Sequence, residues 1–151
     1  MIKIPEKARI SNYEIEFRLL GRGRFREEFN YEVLIDGKRL CNMKVFHGRG
    51  FYRPWIELYL FTDLWGLLKR DKYLSFRFFK IFYCLLGDGN SLFIEYYHDR
   101  DIVKHLDGGG NVEDSWLGKI LKSVGFTRFK DWYIPEGFME GGQKIEVWRE
   151  G

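Results

Sequence analysis

Apolar and polar positions alternate along residues 13–19 (YEIEFRL) and 29–35 (FNYEVLI), the pattern of antiparallel strands with one buried and one solvated face. Between them, GRGRFREE at 21–28 reads as a charged, glycine-containing connector. Asp36-Gly37 is a two-residue type I′ turn signal, so 38–46 (KRLCNMKVF) is the returning arm of a hairpin. His47-Gly48-Arg49-Gly50 breaks the pattern. The nearly continuous apolar run at 55–61 (WIELYLF) then predicts a central strand buried on both faces. From Thr62 the period changes to that of helices, a short one over 63–70 and a second over 73–86 (YLSFRFFKIFYCLL), with a kink or break at Asp71-Lys72. Gly87-Asp88-Gly89-Asn90 ends that helix, and 92–97 (LFIEYY) is a second buried strand. A right-handed crossover through the helix makes 55–61 and 92–97 parallel neighbours. After the glycines at 108–110 come a helix over 112–124, begun by Asn111 or Asp114 and closed by Gly125, and strands at 127–134 and 144–149. The order ββββαβαββ describes one α+β domain over residues 1–151, with a mixed, mainly antiparallel sheet and no internal repeat.

Composition narrows the classes. A chain of 151 residues with 45% hydrophobic and 31% charged residues is one domain's worth of foldable sequence, neither disordered nor collagen-like. Its 14 Phe, 9 Tyr and 5 Trp are an unusual aromatic share, and a Lys/Arg/Glu-rich, Gln-poor balance is that of a thermophile. No apolar run reaches bilayer length and the first ten residues are too charged for a secretory signal, so a cytoplasmic protein without a membrane span is expected. Cys41 and Cys84 lack metal or redox spacing and read as reduced thiols. Net charge falls from +5 over residues 1–54 to +1 over 55–90 and −3 over 91–151. That gradient is too mild to point to nucleic acid.

Several residues could carry chemistry. Glu57 and Glu95 each stand in the middle of an aromatic strand, where an unpaired carboxylate is costly to ionise and its pKa rises toward the range useful to a base. The alternative is pairing with an arginine such as Arg49, Arg53 or Arg77, or an exposed face. The segment 95–101 (EYYHDRD) places four potential metal ligands within seven residues, but a charged turn after a strand explains the same letters, and no metal site is expected. Residues 135–143 (PEGFMEGGQ) form a long glycine-rich loop resembling a lid. It carries Glu136 and Glu140, which with Glu95 would suit a cationic amine, or would serve a surface loop or dimer contact. Gly21-Arg-Gly23 lacks the third glycine of a dinucleotide fingerprint, and the acidic residues after 108–110 already compensate that helix start. The basic side of 73–86 fits either a membrane surface or a core helix with snorkelling cations.

The order of elements over 29–149, together with a helix ending Leu121-Lys122-Ser123-Val124-Gly125-Phe126 before a strand, resembles the GNAT-type N-acyltransferase superfamily. The chain as a whole also looks like an archaeal domain family of unknown function. The superfamily resemblance implies acyl transfer from acetyl-CoA or another acyl-CoA to an amine, in an opening between 55–61 and 92–97. It implies Glu57 as general base and Tyr96 or Tyr97 as general acid. The coenzyme would be held by Leu60, Phe61, Thr62 and Gly66, with Lys69 and Arg70 as candidate phosphate ligands. The loop 61–66 departs from the family pattern, having one glycine and Asp63 where an anion should sit. A non-catalytic binding or assembly module, including a homodimer, is the second reading. A methyltransferase-like Rossmann domain is a third, and the hairpin-rich first half argues against it.

Overall fold

The computed structural model describes residues 2–132 and 143–151. The strands form one mixed sheet in the order β1-β2-β3-β4-β5-β6-β8-β7. They are β1 (Lys7–Ile10), β2 (Tyr13–Arg22), β3 (Glu28–Ile35), β4 (Lys38–Phe46), β5 (Trp55–Leu60), β6 (Ser91–Glu95), β7 (Arg128–Trp132) and β8 (Lys144–Trp148). Every neighbouring pair is antiparallel except β5 and β6, which run parallel as the crossover rule requires. The two parallel strands are joined through α1 (Thr62–Arg70) and α2 (Lys72–Leu86), and β6 is followed by α3 (Arg100–Asp107), a 3-10 turn (Val112–Asp114) and α4 (Trp116–Val124).

The element order is thus βββββααβααββ rather than the expected ββββαβαββ. Strand β1 escapes the alternation rule because four residues with Ala8 and Ile10 as their only apolar positions are too short to show a period. Helix α3 is equally hard to see, having only Ile102 fully buried. The expected helix over 112–124 is broken at Ser115, whose hydroxyl accepts from the Gly118 amide at 3.0 Å and donates to the Val112 carbonyl at 2.6 Å. Ser115 therefore caps α4, not Asn111 or Asp114. The break at 71–72 is real: Asp71 separates α1 from α2 and accepts from the Leu74 amide at 3.0 Å. The turn at Asp36-Gly37 has positive φ at both residues, 48° and 81°, as a type I′ turn demands.

Side chains of α2 fill one face of the sheet. Phe78, Phe79 and Phe82 are fully buried against each other and against Ile56, Leu58, Leu92 and Ile94, and Phe82 meets Phe17 edge-on at 6.3 Å. Helix α4 packs on α2, and Lys80 crosses between them to donate to the Val124 carbonyl at 3.0 Å. That contact turns one cation of the basic side of α2 inward. Among the described residues no helix is long and apolar enough to cross a membrane. Cys41 is buried and Cys84 exposed, and they are not bonded to each other.

Candidate functional site

Strand geometry puts alternate residues of β5 on opposite faces. Ile56, Leu58 and Leu60 enter the helix-covered core, while Trp55, Glu57 and Tyr59 face the other side and lie outside the main apolar cluster. Registers carry the second set across the sheet: Lys44 beside Glu57, Glu57 beside Phe93, Tyr59 beside Glu95, and Glu95 beside Lys144. Five charged or polar side chains from four strands therefore meet on the face away from α2.

Glu57 is only 7% exposed and is held at both oxygens. Lys144 donates to Oε1 at 2.7 Å and the Tyr59 hydroxyl donates to Oε2 at 2.5 Å. The partner of Glu57 is thus a lysine 87 residues away in sequence, not Arg49, Arg53 or Arg77. A second pair lies alongside: Glu28, 3% exposed, accepts from the Arg24 amide at 3.3 Å and lies 3.7 Å from the Lys44 ammonium. Burial, followed by the hydrogen bond to Glu57 and the charges of Glu57, Glu95 and Glu28, pushes the Tyr59 hydroxyl far above its ordinary range. Tyr59 stays protonated and acts as a donor.

Glu95 differs from both paired carboxylates. It makes no hydrogen bond or ion pair to another described side chain. Burial raises its pKa most, the Glu57 charge adds to the rise, and His98 and Lys144 oppose it. It is also the last paired residue of β6. The parallel ladder with β5 ends at Tyr59 and Glu95, after which β5 turns into α1 and the Tyr96 amide bonds to the Gln143 carbonyl at 3.0 Å. The two parallel strands part company at Leu60 and Tyr96. Carboxyl ends of parallel strands are where open sheets place ligands.

The remaining expected residues are dispersed. Tyr96 is buried in the helix-side core, with its hydroxyl donating to Asp131 Oδ1 at 2.8 Å. Burial raises the Asp131 pKa, and that hydrogen bond opposes the rise. Tyr97 is exposed and meets the His98 ring edge-on at 5.3 Å. Phe61 is more than a third exposed, with the Arg39 guanidinium 4.9 Å above its ring. Thr62 opens α1, Gly66 lies in that helix, and an added Cβ at Gly66 would meet nothing within 4 Å. Lys69 is not a free cation: its ammonium lies 3.0 Å from Asp99 and 2.7 Å from Asp101. Burial lowers its pKa, and the hydrogen bonds to those two carboxylates more than reverse this. Arg70 is exposed at the far end of α1. Glu136 and Glu140 lie outside the described residues.

The segment 95–101 also has structural work. Asp99 accepts from the Ile102 amide at 3.0 Å, capping α3, and from Trp116 Nε1 at 3.2 Å. Among the described residues no group of three or more His, Cys, Asp or Glu side chains is placed to hold a metal ion. The sequence missed Lys144 and Lys44 as members of the ladder. Their strand positions were legible, but only the register sets them beside Glu57.

No curated protein matches the chain. A crystal structure of a "putative acetyltransferase" covers 98% of this chain and 90% of its own at 11% identity, with a TM-score of 0.48, too loose a likeness to bear on fold or activity. A crystal structure of a protein of unknown function from Aquifex aeolicus VF5 is much nearer. It is 32% identical over 95% of this chain and 72% of that one, with a TM-score of 0.81. The family model described as "Protein of unknown function (DUF1122)" matches residues 11–149, and the chain belongs to that family.

Proposed function

We propose that the domain transfers an acyl group to an amine, with Glu95 receiving a proton from the acceptor. The observation that carries this reading is the half-buried Glu95 carboxylate, without a hydrogen bond or ion pair to a described side chain, at the point where β5 and β6 separate. Around it the charges do not balance. Among the described residues, Glu28, Glu57 and Glu95 face Lys44 and Lys144, one carboxylate more than ammonium groups, and a cationic amine supplies the missing charge. The element order departs from the one that the acyltransferase resemblance implies, and what agrees with it is the helix-linked parallel pair β5 and β6.

The resemblance would give the base role to Glu57. Its two oxygens are already engaged by Lys144 and Tyr59, so it is better suited to fix those two side chains. Glu95, which no described side chain hydrogen-bonds, is the better carboxylate to take an ammonium ligand. One proton passes from the ammonium to the Glu95 carboxylate, the nitrogen lone pair attacks the carbonyl carbon of an activated acyl donor, and the bond from that carbon to its leaving group breaks. The second proton lost by nitrogen goes to the leaving group. Tyr97, exposed beside His98, is better placed than the buried Tyr96 to assist there.

The diphosphate of coenzyme A finds no fitting cradle in residues 61–70. Asp63 occupies the first turn of α1, and Lys69 is committed to Asp99 and Asp101. No step is therefore routed through that coenzyme. The same features favour the second reading, an amine-binding module without catalysis.

Thermal midpoints of the full chain with excess acetyl-CoA and, separately, with a primary diamine distinguish the readings. A native-state ligand at about 100 times its Kd adds about 2.7 kcal/mol, a shift of several degrees for a domain of this size. A shift with both, and thiol release that Glu95→Gln abolishes, supports acyl transfer. A shift with the diamine alone leaves the binding module. No shift with either rejects the amine site.

A further inference from the structure

A separate feature lies at the opposite end of β5, about 16 Å from Leu60 along the strand. Two connectors meet there, 23–27 between β2 and β3 and 47–54 between β4 and β5. The His47 amide donates to the Glu27 carbonyl at 3.0 Å, and the Arg49 guanidinium lies 3.9 Å from the Glu27 carboxylate. Each connector is a closed turn. In the first, Gly23 N–H bonds to the Glu28 carbonyl at 2.7 Å and Glu28 N–H to the Phe25 carbonyl at 3.1 Å. In the second, Arg49 and Tyr52 exchange backbone bonds at 3.0 and 2.9 Å. Gly48 and Gly50 take φ of 92° and 58° there, and an added Cβ at Gly48 would press on the Pro54 ring at 3.1 Å.

The turns hold aromatic rings out in water. Phe51, at the tip of the second, is fully exposed, more so than any other large apolar side chain among the described residues. Beside it Tyr52 is 76% and Phe25 53% exposed. A fully exposed ring contributes nothing to the fold, and three on adjoining turns make an apolar knob rather than a scattered single residue. Guanidinium groups surround the knob. Arg22, Arg24, Arg26, Arg49 and Arg53 are all exposed, and Glu27 is the one acidic residue within 22–27 and 48–53. Of these arginines only Arg49 has an ion pair with a described residue. Arg22 and Arg24 lie over the rings of Phe29 and Phe25, at 5.9 and 5.8 Å, which leaves their charges uncompensated. Asp88, in the connector that passes Arg53, is engaged by Arg149. A cavity of about 540 Å³ lies between the two turns, with Phe25, Tyr52, Arg49 and Arg53 in its lining.

A protruding apolar tip ringed by uncompensated guanidiniums is complementary to a soft anionic surface. The rings leave water on entering a lipid headgroup layer, while the arginines stay level with the phosphates. A single-stranded nucleic acid would instead want rings laid along a basic groove, and Phe51 stands out of the surface. We propose that this tip docks the domain peripherally on an anionic membrane surface, with Phe51, Tyr52 and Phe25 in the headgroup layer and Arg49 and Arg53 on lipid phosphates. Such binding lies on the bilayer and needs no spanning helix. It is independent of the amine site at Glu95, at the other end of β5.

Cosedimentation of the full chain with vesicles of phosphatidylcholine containing about one third phosphatidylglycerol, against vesicles of phosphatidylcholine alone, tests it. Saturable binding to the anionic vesicles is expected, about tenfold or more stronger than to the neutral ones and weakening as salt rises. Phe51→Ser should weaken it about tenfold and Phe51→Trp should retain it, both at an unchanged thermal midpoint because the ring is fully exposed. Arg53→Gln should cost about fivefold. Absence of binding to the anionic vesicles overturns the proposal, as does equal binding to both kinds. Full-strength binding by Phe51→Ser would show adhesion by charge alone and overturns the insertion of the tip. Tighter binding to a single-stranded polynucleotide such as poly(U), or a dimer in light scattering that Phe51→Ser dissolves, assigns the tip to another partner and overturns the membrane reading.

Discussion

Ile56, Leu58 and Leu60 alternate with Trp55, Glu57 and Tyr59 on the same strand, but the two sets live in different solvents. The first set packs under α2 in an apolar cluster, where specificity comes from volume alone. The second belongs to a ladder of carboxylates, lysines and aromatic rings, in which each buried charge depends on one partner from another strand. A defect in the first face leaves a cavity, while a defect in the second leaves an unpaired charge. On the second face Glu95 has neither a hydrogen bond nor an ion pair to a described side chain, whereas Asp131, on the first, is held by the Tyr96 hydroxyl.

The comparison can be broken from either side. The largest effect is expected on the apolar face: Phe82→Ala removes a ring that is fully buried between Phe17 and Phe78, and should cost about 3–5 kcal/mol in urea unfolding. A loss under 1 kcal/mol would mean that the core under α2 is loosely packed. On the other face, Lys144→Met strands the Glu57 carboxylate. A fully buried pair broken in this way costs about 3–5 kcal/mol, but the Lys144 side chain is 31% exposed, so about 1–3 kcal/mol is expected. Adding Glu57→Gln should restore much of that loss, which a double-mutant cycle would measure. If the two single losses simply add, the pair is not coupled.

Ser115→Ala should cost about 1 kcal/mol by removing the cap of α4, seen as a lower denaturation midpoint at unchanged slope.

The smallest effect is the most diagnostic. Because burial raises the Glu95 pKa, the folded state holds its proton more tightly than the unfolded chain. Stability therefore falls as pH rises from the ordinary glutamate value of 4.5 through the raised one. Glu95→Gln should raise the thermal midpoint modestly at pH about 8 and leave it unchanged at pH about 3, where both states are protonated. An equal shift at both pH values would assign the effect to packing rather than ionisation.

Much of the architecture was legible because local chemistry repeats it. The I′ turn at Asp36-Gly37, the two apolar strands around a helical crossover, the break at Asp71 and the terminal strands each have a signal within a few residues. Strand β1 and helix α3 had none, being too short or too thinly apolar for a period to appear. The glutamates at 57 and 95 stood out as charges among aromatics, but their opposite fates did not. Glu57 meets Lys144 because β5, β6 and β8 are neighbours, a relation between segments nearly ninety residues apart.

Sequence alone determined most of the strands and helices, that the strands before and after the crossover run parallel, and that carboxylates sit where ionisation is costly. Alternation, turn chemistry and burial cost are properties of short segments, so they survive without coordinates. Tertiary structure decided which carboxylate is neutralised and which is left open, that Lys69 is spent on Asp99 and Asp101, and that Phe51 and Arg53 stand exposed at the far end of β5. Pairing energies depend on distances of a few ångströms between residues remote in the chain, and only the register of the sheet sets those distances.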